Sequence, residues 1–376
     1  MKSLFLLGIT LLLNACASPP AVHQPSKTPI VSTMPRFAKP PPPKRMATRP
    51  VGAIPAHSLA NRADVQAFIQ EMANRHGFDV DYLLTVFSQA EVKPSIISAM
   101  SRPGEAKPWY AYRDIFVNSN RIRGGVRFWR ANAAALAQAE RVYGVPPEIV
   151  VAIIGVETQY GGNMGSFRVL EALSTLAFDY PRRAAYFRKE LENYLLLTRR
   201  EGIDPLTPRG SYAGAMGLGQ FMPSSFLSYA VDFDGDGHRD IWRNPRDAIG
   251  SVAHYFQRHG WRAGEPVAVP ARVSGTRYPA LISQRLSPPR DSVASLQAQG
   301  ITPEAPVSGA RAAMLLEYQG RDDPEYWLGF DNFYVITRYN HSRLYAMAVY
   351  QLSQEIREQH AFYPGTVRPE RVARAD

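Results

Sequence analysis

At 376 residues the chain is long enough to bury a large core in two or three lobes. It is basic, with 43 Lys and Arg against 33 Asp and Glu and a formal net charge of +10, yet no nucleic-acid-binding motif accompanies that charge. A single cysteine excludes an internal disulfide, and no internal repeat is evident.

Residues 1–15 read as a signal peptide. Met1-Lys2-Ser3 precedes an apolar run from Leu4 to Leu13 that is too short to span a bilayer. The run ends in Leu13-Asn14-Ala15-Cys16, a lipoprotein-box pattern that marks Cys16 for lipidation rather than redox chemistry. Several acyl chains, at about 0.8 kcal/mol per buried methylene, anchor stably where one does not. Ala17 follows instead of the aspartate linked to inner-membrane retention, so the expected location is the outer membrane, facing the periplasm. Residues 16–58 are a linker holding eleven prolines, among them Pro40-Pro41-Pro42-Pro43. In polyproline form, at ~3.1 Å per residue, it reaches on the order of 100 Å.

Val65, Phe68, Ile69 and Met72 form a helical stripe, as do Val126, Trp129, Ala133 and Leu136, which predicts a helical lobe over residues 59–144. Residues 145–263 carry the most informative features. Pro146 to Glu157 reads as a proline-started helix, apolar on almost every side and stopped by Gly161-Gly162. Burial and the helix C-terminus both disfavour an ionised Glu157, so its pKa should rise, leaving an acid able to protonate a leaving-group oxygen. The alternative is a core glutamate paired with an arginine. Glu171 and Asp179 lie nearby in sequence, as second carboxylates or as salt-bridge partners.

Gly210 to Ser225 is a loop rich in glycine and small residues, suited to close approach of backbone and ligand, and Gln220 within it can both donate and accept hydrogen bonds. Asp232-Phe233-Asp234-Gly235-Asp236-Gly237-His238-Arg239-Asp240 follows the D-x-D-x-D-G-x-x-D pattern of a calcium loop, with a backbone carbonyl expected from His238. Position twelve, normally glutamate, is Arg243. The four clustered aspartates would repel one another without a cation, so a structural Ca²⁺ is expected. A further helix starts near Pro245, with Ile249, Val252, Ala253 and Phe256 on one face.

From 264 to 337 alternating Val267 and Val269, many prolines, and a strand-like Asn332-Phe333-Tyr334-Val335-Ile336-Thr337 predict a β-rich insertion. Tyr345, Ala348, Val349, Leu352 and Ile356 then mark a closing helix within residues 338–376. The fold class is mainly α, in the α+β sense.

Two strings carry a family resemblance. Gly155-Val156-Glu157-Thr158-Gln159-Tyr160-Gly161 and Ala213-Gly214-Ala215-Met216-Gly217-Leu218-Gly219-Gln220-Phe221-Met222-Pro223-Ser224 closely resemble the membrane-bound lytic murein transglycosylase B family, over roughly residues 60–360. The resemblance implies a lysozyme-like catalytic core and peptidoglycan as substrate, cut between N-acetylmuramic acid and N-acetylglucosamine without water. It implies Glu157 as acid and then base, and Ser211, Gln220 and Tyr255 lining a saccharide groove closed by Tyr339 and Tyr345. Arg182 and Arg183 then suit stem-peptide carboxylates, or are simply a solvated helix start. Asp247 joins Asp232, Asp234, Asp236 and His238 around calcium. An anionic wall polymer fits the basic charge, and no organic cofactor is called for. Two rivals remain: a hydrolytic muramidase with the same acid, and a non-catalytic, calcium-braced wall-binding lipoprotein.

Overall fold

The computed structural model describes residues 58–101 and 107–362. The signal peptide, Cys16 and nearly all of the linker lie outside the described residues. Six helices come first: α1 (Ala63–His76), α2 (Val80–Ser88), α3 (Pro94–Ser101), α4 (Trp109–Phe116), α5 (Ser119–Ala131) and α6 (Ala133–Tyr143). The 65/68/69/72 stripe is the buried face of α1. The second stripe belongs to two helices rather than one. Asn132 ends α5, its side chain donating to the Phe128 carbonyl, and α6 begins at an exposed Ala133. A side-chain amide that competes for backbone groups breaks a helix that apolar spacing alone would continue.

The oily segment is α7 (Pro147–Thr158), buried from Ile149 to Val156. A two-residue ladder of β1 (Phe167–Arg168) and β2 (Arg209–Gly210) brackets α8 (Val169–Asp179) and α9 (Ala184–Glu201). Then come α10 (Pro223–Tyr229) and α11 (Pro245–Arg258), the latter capped by the Asn244 side chain.

The β-rich insertion comprises β3 (Ala268–Val273), β4 (Asp291–Ser292), the short α12 (Val293–Gln297), β5 (Ile301–Pro303), β6 (Ala312–Gln319) and β7 (Pro324–Gly329). These strands form one antiparallel sheet in the order β4-β6-β7-β3-β5. Successive side chains of a strand face opposite sides, and β6 uses both. Met314, Leu316 and Tyr318 join the main helical core, while Ala313 and Leu315 meet Val293, Leu296 and Ile301 in a small second core.

The expected strand at 332–337 is instead helix, inside α13 (Asp331–Tyr339). Its β-branched composition suggested a strand, but Asn332, Phe333, Val335 and Ile336 fall on a face at helical spacing and are buried. The Asn332 side chain fastens the helix start, accepting from Arg262 N and donating to the Arg262 and Glu265 carbonyls. Last comes α14 (Arg343–Phe362), which buries the predicted Tyr345–Ile356 stripe against α4, α5 and α7.

Candidate active site

Glu157 stands in the last turn of α7, where the surrounding helix is buried but its own side chain keeps part of its surface open. Burial is the largest influence on its carboxyl and pushes it up from the ordinary carboxylate range to about 7. Two groups oppose that rise. The Tyr345 hydroxyl donates to Glu157 Oε1 at 2.5 Å, and the Arg121 guanidinium attracts the carboxylate through space. No second carboxylate acts on Glu157 among the described residues. Glu171 is buried beside Lys93 at 3.5 Å and Arg168 at 3.9 Å. Asp179 accepts two hydrogen bonds from Arg62, at 2.8 and 2.9 Å.

What holds Glu157 in place was not legible as a site in the sequence. Gln159 and Tyr160, directly after α7, both adopt left-handed backbone, φ 53° and 61°, a costly choice for residues with side chains. The turn throws the Tyr160 ring back onto a bed of three glycines. A Cβ on Gly124, Gly125 or Gly155 would come within 2.7, 2.7 and 2.5 Å of that ring or its hydroxyl. The Tyr160 hydroxyl donates to the Arg121 carbonyl at 2.8 Å, and the buried Arg121 guanidinium donates to the Gly155 carbonyl at the end of α7. The only trace in the sequence is Gly124-Gly125 inside a helix, a spacing that calls for a packing reason.

The glycine-rich loop lies against the same helix end. Thr158 Oγ1 donates to the Leu218 carbonyl at 2.9 Å. Ser211 Oγ accepts from Ala213 N and Ala215 N at 3.3 and 3.0 Å, shaping the start of the loop. Gln220, itself left-handed at φ 52°, donates through Nε2 to the Met164 and Gly217 carbonyls. Tyr339 donates to the Gly219 carbonyl at 2.5 Å and is close enough to Glu157 to feel its charge. Tyr255 sits edge-on to Tyr339, 4.8 Å between centroids, stacks on His259, and donates to the Arg338 carbonyl.

Tyr345 and Tyr255 are almost fully buried, so neither offers a broad ring face to a ligand. Tyr112 is the aromatic that sequence reasoning missed, half-buried and within reach of the Glu157 charge. Arg182 and Arg183 lie ahead of α9, Arg182 exposed and Arg183 over the rings of Tyr186 and Phe187. No described hydrogen bond or ion pair links either arginine to Glu157.

In the aspartate loop, single carboxylate oxygens of Asp232, Asp234 and Asp247 lie within 4.8 Å of one another. Asp232 accepts from the N–H groups of Gly235, Asp236 and Gly237, which wraps the loop around its carboxylate. Asp247 is fully buried, and burial with the nearby Asp234 and Asp232 charges lifts its carboxyl to about 6. None of the three has a salt-bridge partner among the described residues. Such a cluster fits a hard dication. Of the other expected contributors, Asp236 accepts from His238 N within the same turn, and His238, expected to offer only its backbone carbonyl, has an exposed side chain. Asp240 is spent on Trp242 N and Arg243 N.

A helical lysozyme-like core with one half-open acid at the end of a buried helix, beside a glycine-rich loop, defines a class of glycan-cleaving enzymes. The family model described as Transglycosylase SLT domain matches residues 60–354, and the chain belongs to that family. It is 44% identical over 361 residues to membrane-bound lytic murein transglycosylase B of Escherichia coli strain K12, covering 93% of this chain and 96% of the relative. Among solved structures it resembles the catenated lytic transglycosylase SltB1 of Pseudomonas aeruginosa (TM-score 0.77, 50% identity, 80% of this chain and 99% of that one). It also resembles the Escherichia coli lytic transglycosylase Slt35 in complex with calcium (TM-score 0.74, 48% identity, 80% and 95%). The chain is a lytic murein transglycosylase, an enzyme that cleaves peptidoglycan by transglycosylation.

Proposed function

We propose that Glu157 is the single acid–base group of this reaction, and the observation that carries the reading is its position: a carboxyl at the end of a buried helix, lifted by burial to about 7, with no second carboxylate acting on it. Glu157 gives its proton to the glycosidic oxygen as the bond to muramoyl C1 breaks. The C6 hydroxyl of the same sugar then bonds to C1 and returns its proton to Glu157. The product is a 1,6-anhydromuramoyl end, with no water consumed. A hydrolytic glycosidase generally needs a partner carboxylate at a set distance, whereas here Glu171 and Asp179 are occupied by cations. Ser211, Gln220 and Tyr339 hold the sugars, Tyr345 orients the acid, and Tyr255 props Tyr339. Arg182 and Arg183 extend the groove toward peptide carboxylates.

Asp232, Asp234 and Asp247 hold a Ca²⁺ whose role is to neutralise the buried carboxylate cluster and brace the loop; the calcium in Slt35 supports this reading. Cys16 carries the lipid that fixes the enzyme to the outer membrane at its periplasmic face, in keeping with the membrane-bound relative. Glu157→Gln keeps shape but cannot cycle a proton. It should lower cutting of purified sacculi by about 10⁴-fold, the upper end for general acid–base catalysis. Wild-type products should be lighter by one water than lysozyme products and resist borohydride. Undiminished cutting by the variant would remove Glu157 from the mechanism, and reducible ends would make the enzyme a muramidase.

A further inference from the structure

One concavity of the protein does not include Glu157 in its lining. It is a cleft of about 600 Å³ between the β2 strand, the end of α9 and the turn after the aspartate loop, and it shares Met164 with the contact that holds Gln220. Its charges are uneven. Arg239 lines it but is neutralised by Glu201 in a largely buried ion pair. Asp240 lines it too, and its Oδ1 is taken by Trp242 N at 3.0 Å and Arg243 N at 2.9 Å, which fixes the turn that presents those two side chains. Arg209 and Arg243 are exposed and have no carboxylate partner among the described residues. Arg209 makes one described side-chain bond, from Nη1 to the Ser166 carbonyl, out of the five donors a guanidinium carries. Trp242 lines the cleft with them, and its indole N–H donates to the Arg209 carbonyl at 3.2 Å, so the ring does not need to be ordered by a ligand.

Two uncompensated guanidiniums and a fixed indole in one cleft suit a flexible chain that bears carboxylates and short apolar side chains. We propose that this cleft binds the carboxylate-bearing stem peptide that hangs from the glycan strand, with Arg209 and Arg243 taking carboxylates and Trp242 packing on the peptide between them. The proposal rests on the peptidoglycan reading above. It gives the enzyme a peptide subsite distinct from the Arg182 and Arg183 side of the groove.

Calorimetric titration of the full chain decides it, with three probes: free stem tetrapeptide, the same tetrapeptide with amidated carboxylates, and a peptide-free N-acetylglucosamine oligomer. The free peptide should bind wild type and lose about tenfold in affinity in Arg209→Ala/Arg243→Ala, while the amidated peptide should bind both proteins equally weakly. Both positions are exposed, and an unchanged melting temperature verifies the fold of the variant. Equal binding of acidic peptide to wild type and variant, or no binding to wild type, overturns the proposal. The sugar oligomer reports on the Glu157 groove separately. Its failure to bind would count against the groove assignment while the peptide arms still decide the cleft.

Discussion

At the scale of single residues, the site is an argument about one proton. The Glu157 carboxyl is raised because burial penalises its charged form, and the Tyr345 hydroxyl and Arg121 draw it part of the way back. The acid form therefore predominates below about pH 7, and cutting should fall as the pH rises through that value. Tyr345→Phe removes a hydrogen bond that favours the carboxylate. The Glu157 pKa should rise further, moving the alkaline limb of the rate profile up by about one unit, since a hydrogen bond to a charged group is worth about 1.5–3 kcal/mol and one unit is about 1.36 kcal/mol. A limb that stays in place or moves down would contradict the assignment of Tyr345. The place of Glu157 at the end of a buried helix was legible from the all-apolar run before it, while its reading as the acid needed the glycine-rich loop and the family motif as well. Tyr160 and Arg121 were not: their roles depend on a left-handed turn and a contact across 39 residues that no local pattern encodes.

At the scale of elements, α7 is clamped rather than merely packed. An alanine inside a helix ordinarily gains about 0.5–1 kcal/mol over glycine. Gly155→Ala should nonetheless destabilise by about 1–3 kcal/mol, because its methyl would meet the Tyr160 hydroxyl at 2.5 Å. Chemical denaturation measures that change, and a stabilised variant would show the ring bed to be loose. The aspartate loop makes a second test. A ligand that binds only the folded state at a hundredfold excess over its dissociation constant adds about 2.7 kcal/mol, so calcium should raise the melting temperature of the wild type. In Asp247→Ala that shift should vanish; a shift of equal size in both proteins would move the cation elsewhere. The ordered aspartates made this loop readable, whereas the backbone hydrogen bonds that shape it, such as His238 N donating to Asp236, are not visible in the pattern. The same limit explains α13. Valine, isoleucine and threonine favour strands in general, yet Asn332 and a buried helical face settled the segment otherwise.

At the scale of the whole molecule, the sheet is an insert between the catalytic helices and the helix that completes them. The chain leaves α11, builds a sheet that presents one face to the main core, and returns through α13 and α14. That tour delivers Tyr339 and Tyr345 to the acid; the insertion and the closing helix were legible in the sequence, and the two tyrosines from the family resemblance, but the strand order and the helical α13 were not. The proposed lipid anchor rests on four residues and concerns the protein's place in the cell rather than its fold. Cys16→Ala should release a soluble form that cuts isolated wall as well as wild type does. Continued fractionation with outer membrane in high salt would count against lipidation at this cysteine.

The hydrogen bond between Tyr345 and Glu157 spans 188 residues of sequence, and its donor belongs to the last described helix. Synthesis runs from the N-terminus, so α7 and the glycine-rich loop exist long before the residues that enclose the acid. Until α14 docks, Glu157 lacks the Tyr345 hydroxyl that holds its Oε1 and the helix that packs against α7. Chains that end ahead of residue 343 carry α7 and the glycine-rich loop and still lack Tyr345. A chain ending ahead of α14 should therefore cut isolated wall far more slowly at neutral pH than the full chain does, and equal rates would show that the last helix is dispensable to the acid.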